Sequence, residues 1–239
     1  MTSIFIYAFL VFLASLAGGL AVVIRHWHPK MLSIFISFGA GVILTTALIF
    51  LIPPAIHDTS ALWILAGFLF IFLGENFIMM HGCMADDCQV HNVGLAAFIG
   101  LSFHALAAGL AIGAGVLHSE NLGFMTFLAI ILHKAPESLT LSSVMLHDHY
   151  SRKRTTLLIL LFSLIVPFGA LLSYFILKDV TLSVVPAALA FSAGTFLEVG
   201  ASDLLPQVHR PGPLRIPRLL GFLAGIALTV AISAIHHHH

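Results

Sequence analysis

The amino-acid sequence predicts an all-α membrane protein, built as a bundle of eight transmembrane helices with both termini outside. Hydrophobic residues make up 59% of the chain and charged residues only 8%, and the mean hydropathy is +1.07. A soluble core does not need this much apolar surface. Apolar runs long enough to cross a bilayer also recur along the whole chain, and short connectors between them carry most of the lysine and arginine residues.

The predicted spans are defined by these apolar runs, each of which is roughly 20 residues long, the length that a transmembrane helix needs. We treat residues 1–235 as a single transmembrane domain. The last four residues, 236–239, are all histidine, which is consistent with the remnant of a purification tag, and they carry no functional argument. The spans lie approximately at 3–24, 32–55, 61–80, 93–117, 122–146, 155–177, 183–205 and 218–235.

The distribution of positive charge predicts the orientation. Eight of the ten lysine and arginine residues lie in the connectors that follow the first, fifth and seventh spans or, for Arg218, at the edge of such a connector, and these three connectors fall on one side of the bilayer. The positive-inside rule places them in the cytoplasm and both termini outside.

Two other classes of protein are disfavoured by composition. The formal net charge is zero, which argues against a nucleic-acid partner. Two cysteines are too few for a disulfide framework. The cysteines lie with histidines and aspartates in the connector at 81–91, but their spacing fits no standard zinc module, and a solvated polar loop is the preferred interpretation.

The fifth span carries polar residues that transmembrane helices usually avoid. Lys134 and Glu137 lie near its middle, where such a group costs roughly 2.5–3.5 kcal/mol. His133 and Glu137 are four residues apart and face the same way, and imidazole with carboxylate is a common ligand set for transition metals. Pro136 frees a backbone carbonyl between them, a defect that is tolerated beside a polar cavity. These residues predict a metal site; the alternative is a kinked helix with a buried ion pair.

Two further spans add candidate ligands. His104 lies in the fourth span, and a single histidine there is usually a core residue bonded to a carbonyl. The connector to the fifth span is short, so the two helices are predicted to be antiparallel neighbours with His104, His133 and Glu137 at similar depth. Glu198 lies deep in the seventh span, where a carboxylate is unusual. These positions make His104 a candidate to join His133 and Glu137, and Glu198 stands out as a carboxylate within its span.

Several motifs together resemble those of the ZIP (Zrt/Irt-like) family of divalent-metal transporters. The most specific is His-Lys-Ala-Pro-Glu at 133–137, which is similar to the fifth-helix motif of the family. Phe-Ser-Ala-Gly-Thr-Phe-Leu at 191–197, with Asp-Leu-Leu-Pro at 203–206, resembles the seventh-helix signature. Residues 39–47 look like the glycine-rich second helix, and His104 with Gly109 matches the ends of the fourth-helix motif His-Asn-x-Pro-Glu-Gly.

The resemblance implies a site between the fourth and fifth helices, with His104, His133 and Glu137 as its ligands. It also implies an inverted-repeat bundle in which one group of helices moves against another, and metal that passes inward. The expected substrate is Zn²⁺, with Fe²⁺, Mn²⁺ and Cd²⁺ as further candidates. The other expected partners are the lipid bilayer and a second copy of the chain, since homodimers are common in the family.

The sequence departs from the family pattern at the site itself. Ala108 stands where the fourth-helix motif has its acid, and Lys134 stands where binuclear members place a ligand of a second metal. The ammonium of Lys134 is expected to replace that metal and to hold Glu137 ionised, so we predict one metal ion rather than two. Glu198 replaces the tyrosine of the signature, so no family role transfers to it. The open fourth position of the metal could be filled by water or by the side chain of Ser102, Ser138, Glu75 or Glu198.

Three functions are compatible with these residues, and a carrier is preferred. An intramembrane metallohydrolase could use the same three ligands to activate water. A metal-binding sensor that no longer transports would follow from the loss of the acid at Ala108. Compact connectors favour the plasma membrane, specifically a bacterial inner membrane.

Overall fold

The computed structural model describes residues 2–25, 28–82, 93–178 and 184–236. Every regular element in this part of the chain is helical. Two π-helical turns, Thr46–Leu51 and Val199–Leu204, connect α2 to α3 and α8 to α9. The helices are α1 (Thr2–Ile24), α2 (Pro29–Thr45), α3 (Ile52–Asp58), α4 (Leu62–Gly82), α5 (Val93–His118), α6 (Glu120–His147), α7 (Arg152–Leu177), α8 (Val184–Glu198), α9 (Leu205–His209) and α10 (Arg215–His236).

The predicted all-α membrane class is confirmed. Six helical stretches among the described residues are long and apolar enough to cross a membrane: Thr2–Ile24, Lys30–His57, Ala97–His118, Arg152–Leu177, Val184–His209 and Arg215–Ala234. The second and fifth of these run through the π-helical turns. A shorter apolar stretch, Leu62–Asn76, lies in α4, and α6 carries the polar residues noted above. The chain is thus a multi-pass helical protein, while the count of eight spans and the external termini stay predictions.

The helices form two groups. In the first group α1, α5, α6 and α7 pack against one another. In the second group α2 packs on α10 and α4 packs on α8. The π-helical turn that follows α2 contacts α8, and the π-helical turn that follows α8 contacts α2. The groups meet where α5 contacts α8 and where α2 contacts α6. The candidate site lies near this border, because α5 and α6, which carry it, contact the second group there.

Hydroxyl groups hold the first group together. Ser15 of α1 is hydrogen-bonded to Ser138 of α6 at 2.8 Å, and Ser163 of α7 donates to Ser15 at 3.0 Å. The Ser142 hydroxyl of α6 donates to the carbonyl of Gly19 in α1 at 2.8 Å. Such bonds between buried side chains are a common way to join transmembrane helices, which gain little from the hydrophobic effect once they lie in lipid.

Glycines bring the helices of the second group into backbone contact. A Cβ atom added at Gly67 of α4 would overlap the carbonyl oxygen of Phe191, and one added at Gly194 of α8 would overlap the carbonyl oxygen of Ile64. The two glycines therefore form one crossing point between α4 and α8. Small residues at such crossings let transmembrane helices approach closely.

Gly194→Val is expected to destabilise the protein by about 1–3 kcal/mol. The valine would overlap backbone atoms of α4, and a helix backbone cannot move aside as the end of a flexible side chain can. The matched control is Gly74→Val in α4, where an added Cβ meets nothing within 4 Å. Thermal unfolding in detergent, followed by circular dichroism, measures both variants. Equal melting temperatures for the two variants would contradict the close crossing.

Some sequence predictions fall outside the described residues. These are the connector residues Cys83, Asp86, Asp87, Cys88 and His91, the side chains of His81 and His236, and the terminal residues His237, His238 and His239.

Candidate metal site

The helices that carry the site are joined by a very short connector. α5 ends at His118 and α6 begins at Glu120, with Ser119 between them as the N-cap of α6. The Ser119 hydroxyl accepts a hydrogen bond from the backbone N–H of Leu122 at 3.1 Å, which satisfies one of the free donors at the start of the helix. α5 and α6 are therefore antiparallel neighbours, as the sequence predicts.

Three predicted ligands come together in the interior. His104 of α5 and His133 and Glu137 of α6 each offer one ligand atom, and these atoms all lie within 4.8 Å of one another. All three residues are buried, with exposures of 0%, 0% and 7%. The three residues that the sequence brings together as candidates thus lie side by side in the structure.

Within the described part of the chain, the donor atoms that converge here have no hydrogen-bond partner. His133 Nδ1 lies 2.9 Å from the carbonyl oxygen of Ala129, so Nδ1 carries the proton and Nε2 presents its lone pair. His133 Nε2, both ring nitrogens of His104 and Oε1 of Glu137 have no hydrogen-bond partner among the described residues. Buried polar atoms are rarely left unsatisfied without a functional reason. A histidine that only filled the core is usually bonded to a carbonyl, and no carbonyl of the described residues accepts a hydrogen bond from His104.

Lys134 completes the charge balance of the site. Its fully buried ammonium donates a hydrogen bond to Oε2 of Glu137 at 2.8 Å and lies 4.2 Å from the centre of the Phe162 ring. The buried ion pair that the sequence offered as an alternative is thus present. It engages one carboxylate oxygen only, so the pair leaves Oε1 available beside the two histidines.

An aromatic ring from the second group of helices closes the site. Phe196 of α8 is fully buried, and its ring centre lies 4.8 Å from that of His104 and 5.7 Å from that of His133. The imidazole rings themselves are 5.9 Å apart. Sequence reasoning did not single out Phe196, although it lies inside the seventh-helix signature.

The further candidate ligands have other surroundings. Glu198 is buried, but the cluster of ligand atoms within 4.8 Å does not include it, and its role as a ligand stays a prediction. Ser138 donates to the carbonyl of Lys134, and Ser102 donates to the carbonyl of Phe98. Both serine hydroxyl protons are therefore already engaged within their own helices.

A small cavity adjoins the site. It has a volume of about 30 Å³, larger than the roughly 10–15 Å³ that one water molecule needs. On α6 it extends from His133 towards Thr140, that is, towards the end of the helix where the connector to α7 begins. Its lining comes from α2, α5, α6 and the second π-helical turn: Ile36, Gly39, Ile43, Leu101, His133, Pro136, Glu137, Thr140, Val199 and Leu204.

A larger cavity of about 540 Å³ lies at the opposite end of α6, where the α5–α6 connector begins the helix. Met125 of α6 and Phe50 of the first π-helical turn line it. Together with Ala129, these two residues form a small buried apolar cluster between the large cavity and His133.

A bundle of apolar helices that buries a histidine–carboxylate donor set defines a class of protein, the integral membrane proteins that handle metal ions. Comparison with known proteins gives the family. Residues 81–233 match the family model described as ZIP zinc transporter. The chain belongs to the ZIP family, whose members are transporters rather than enzymes, which removes the hydrolase alternative.

Curated relatives cover nearly the whole chain. The chain is 30% identical to the zinc transporter ZupT of Chlorobium luteolum over 95% of its own length and 96% of that protein. It is 29% identical to the proteins of the same name from Chlorobium phaeovibrioides, over 94% of the chain and 97% of the relative, and from Chlorobaculum parvum, over 98% and 99%.

Proposed function

We propose that this protein transports divalent metal ions, principally Zn²⁺, towards the cytoplasm through a site formed by His104, His133 and Glu137. The observation that carries the proposal is the set of converging, buried donor atoms that have no hydrogen-bond partner among the described residues. Two imidazole nitrogens and a carboxylate oxygen suit zinc, and three protein ligands leave a position open for exchange. Fe²⁺, Mn²⁺ and Cd²⁺ are further candidate substrates, because a site with these ligands binds several divalent metals with graded affinity and does not select one metal by affinity alone.

Charge supports transient binding of a single ion. Lys134 and Glu137 neutralise each other, so a divalent cation at the site keeps most of its own charge uncompensated. Such a site favours release over tight storage. A second metal ion would need the remaining oxygen of Glu137 as a ligand. The buried ammonium of Lys134 already occupies that oxygen, which supports one ion per site.

The direction of transport follows from the proposed topology. With eight spans and both termini outside, the basic connectors lie in the cytoplasm. The small cavity extends from His133 and Glu137 towards the end of α6 that precedes Arg152, Lys153 and Arg154, which supports release of metal on that side. The membrane is proposed to be the plasma membrane, in a bacterium the inner membrane.

The route from outside is proposed to follow one face of α6. Met125, Ala129, His133 and Glu137 follow one another at intervals of four residues and so share a face. The large cavity supplies the entrance, and the cluster of Phe50, Met125 and Ala129 separates it from the site.

His133→Ala is expected to lower zinc uptake at least about tenfold, since even groups that only orient metal ligands contribute 10–100-fold to affinity. The purified protein is reconstituted in liposomes with a zinc indicator inside, and influx is measured after Zn²⁺ is added outside. His209→Ala, an exposed histidine on α9, is the matched control and should transport as the wild type does. If His133→Ala took up zinc at the wild-type rate, the proposed site would not lie on the transport route.

The same preparation separates transport from the sensor alternative. Ala108 is fully buried and offers no ligand atom. If the loss of the acid at this position had abolished transport, the protein would bind zinc but show no influx. Influx by the wild type excludes that alternative.

We also propose a homodimer, as in related transporters; light scattering on the purified protein in detergent gives its mass.

A further inference from the structure

Among the residues that the structure describes, His104 finds no partner of the kind that usually orients a metal-binding histidine. Such a histidine normally donates its second ring N–H to a carboxylate, a carbonyl or water, which fixes the tautomer and the ring orientation. His133 follows this rule through the carbonyl of Ala129. Neither ring nitrogen of His104 has a partner among the described residues, although the side chain is completely buried. Its orientation must therefore come from packing.

The alanines that follow His104 on α5 supply little of that packing. Ala105, Ala107 and Ala108 are all small and buried, and a methyl group constrains an adjacent imidazole little. The ring contacts of His104 are with Phe196, at 4.8 Å and 50°, and with His133, at 5.9 Å and 46°. Phe196 also meets His133 edge-on, at 5.7 Å and 88°. Tilted and edge-on contacts at these distances are the favourable geometries for aromatic rings.

Phe196 belongs to the other group of helices. α8 packs on α4, whereas His104 and His133 lie on α5 and α6 of the first group. One turn before Phe196, the hydroxyl of Ser192 donates to the carbonyl of Ala107 at 3.1 Å and fixes α8 against α5. The position of the Phe196 ring is thus set by the contact between the two groups.

We propose that Phe196 is a positioning residue that orients the His104 imidazole towards the metal, so that metal affinity depends on how α8 sits against α5 and α6. The proposal rests on the function proposed for the site. When the two groups are packed as in this structure, the ring restricts His104 to the orientation in which a nitrogen faces His133 and Glu137. Any displacement of α8 relative to α5 withdraws the ring, frees the imidazole and weakens the site.

Co²⁺ is a suitable probe, because its visible absorption reports the ligands and geometry of a site that also accepts zinc. Phe196→Leu and Phe196→Met both remove the ring and keep an apolar side chain, so either variant tests the proposal if the other does not fold. We expect each to bind Co²⁺ about 10–100-fold more weakly than the wild type, with an altered visible spectrum. Phe196→Tyr keeps the ring and should restore both affinity and spectrum.

Phe191→Leu is the matched control. Phe191 lies on the same helix, is half-buried, and makes its ring contact with Phe70 at 5.6 Å instead of with the histidines. Its variant should bind Co²⁺ with wild-type affinity and spectrum. The proposal is overturned if the two ring-less variants at Phe196 match the wild type, or if Phe191→Leu weakens binding as much as they do. A wild-type protein that binds no Co²⁺ would overturn the proposed site as well, which distinguishes the two failures.

Discussion

Glu137→Gln is expected to reduce zinc uptake to the level of protein-free liposomes. Oε1 of Glu137 is the only anionic ligand atom in the cluster of three, and an amide oxygen is a much weaker donor for zinc. The substitution also leaves the buried ammonium of Lys134 without its counter-charge, so the metal would have to enter beside an unpaired cation. Both effects act against binding. Uptake in liposomes and zinc binding by calorimetry measure the result.

The matched control is Glu120→Gln. Glu120 is the other carboxylate of α6, but it lies exposed in the first turn of the helix. Its removal changes the charge of the protein by the same amount and should leave uptake unchanged. Wild-type uptake by Glu137→Gln, or equal losses in both variants, would show that the carboxylate of Glu137 does not bind the transported ion.

Sequence reasoning was most reliable where the cost of burial makes a residue conspicuous. A carboxylate, a lysine and a histidine within one apolar span cannot face lipid, so 133–137 had to face the interior. The short connector then brought α5 alongside α6, and these two facts were enough to place His104 beside His133 and Glu137. The apolar runs likewise indicated an all-helical membrane protein, because helices satisfy their own backbone groups.

Features that depend on contacts between distant helices could not be predicted in this way. Phe196 is one of many apolar residues in its span, and only the packing of α8 on α5 brings its ring to the histidines. The two π-helical turns were missed as well. A signal did exist for them: Pro53 and Pro206 each follow a π-helical turn closely, and a proline removes a donor from the helical ladder.

Lys134→Met is expected to destabilise the metal-free protein by about 3–5 kcal/mol, the usual cost of removing one partner from a buried ion pair. The ammonium of Lys134 is the only hydrogen-bond donor to Glu137 among the described residues, so the variant leaves the carboxylate buried and alone. Thermal unfolding in detergent, with and without Zn²⁺, measures the effect. Lys153→Met, at an exposed lysine in the first turn of α7, should unfold as the wild type does.

Zinc should distinguish this loss from simple misfolding. In Lys134→Met a bound divalent ion can replace the missing ammonium as the counter-charge of Glu137, so added Zn²⁺ should raise the melting temperature more than in the wild type. In Glu137→Gln the buried ammonium is the unpaired charge, and Zn²⁺ should give no recovery. The double variant, Lys134→Met with Glu137→Gln, removes both charges and should regain stability without responding to zinc, because replacing both partners of a buried pair is often neutral. If Zn²⁺ stabilises all three variants equally, the metal does not bind at Glu137.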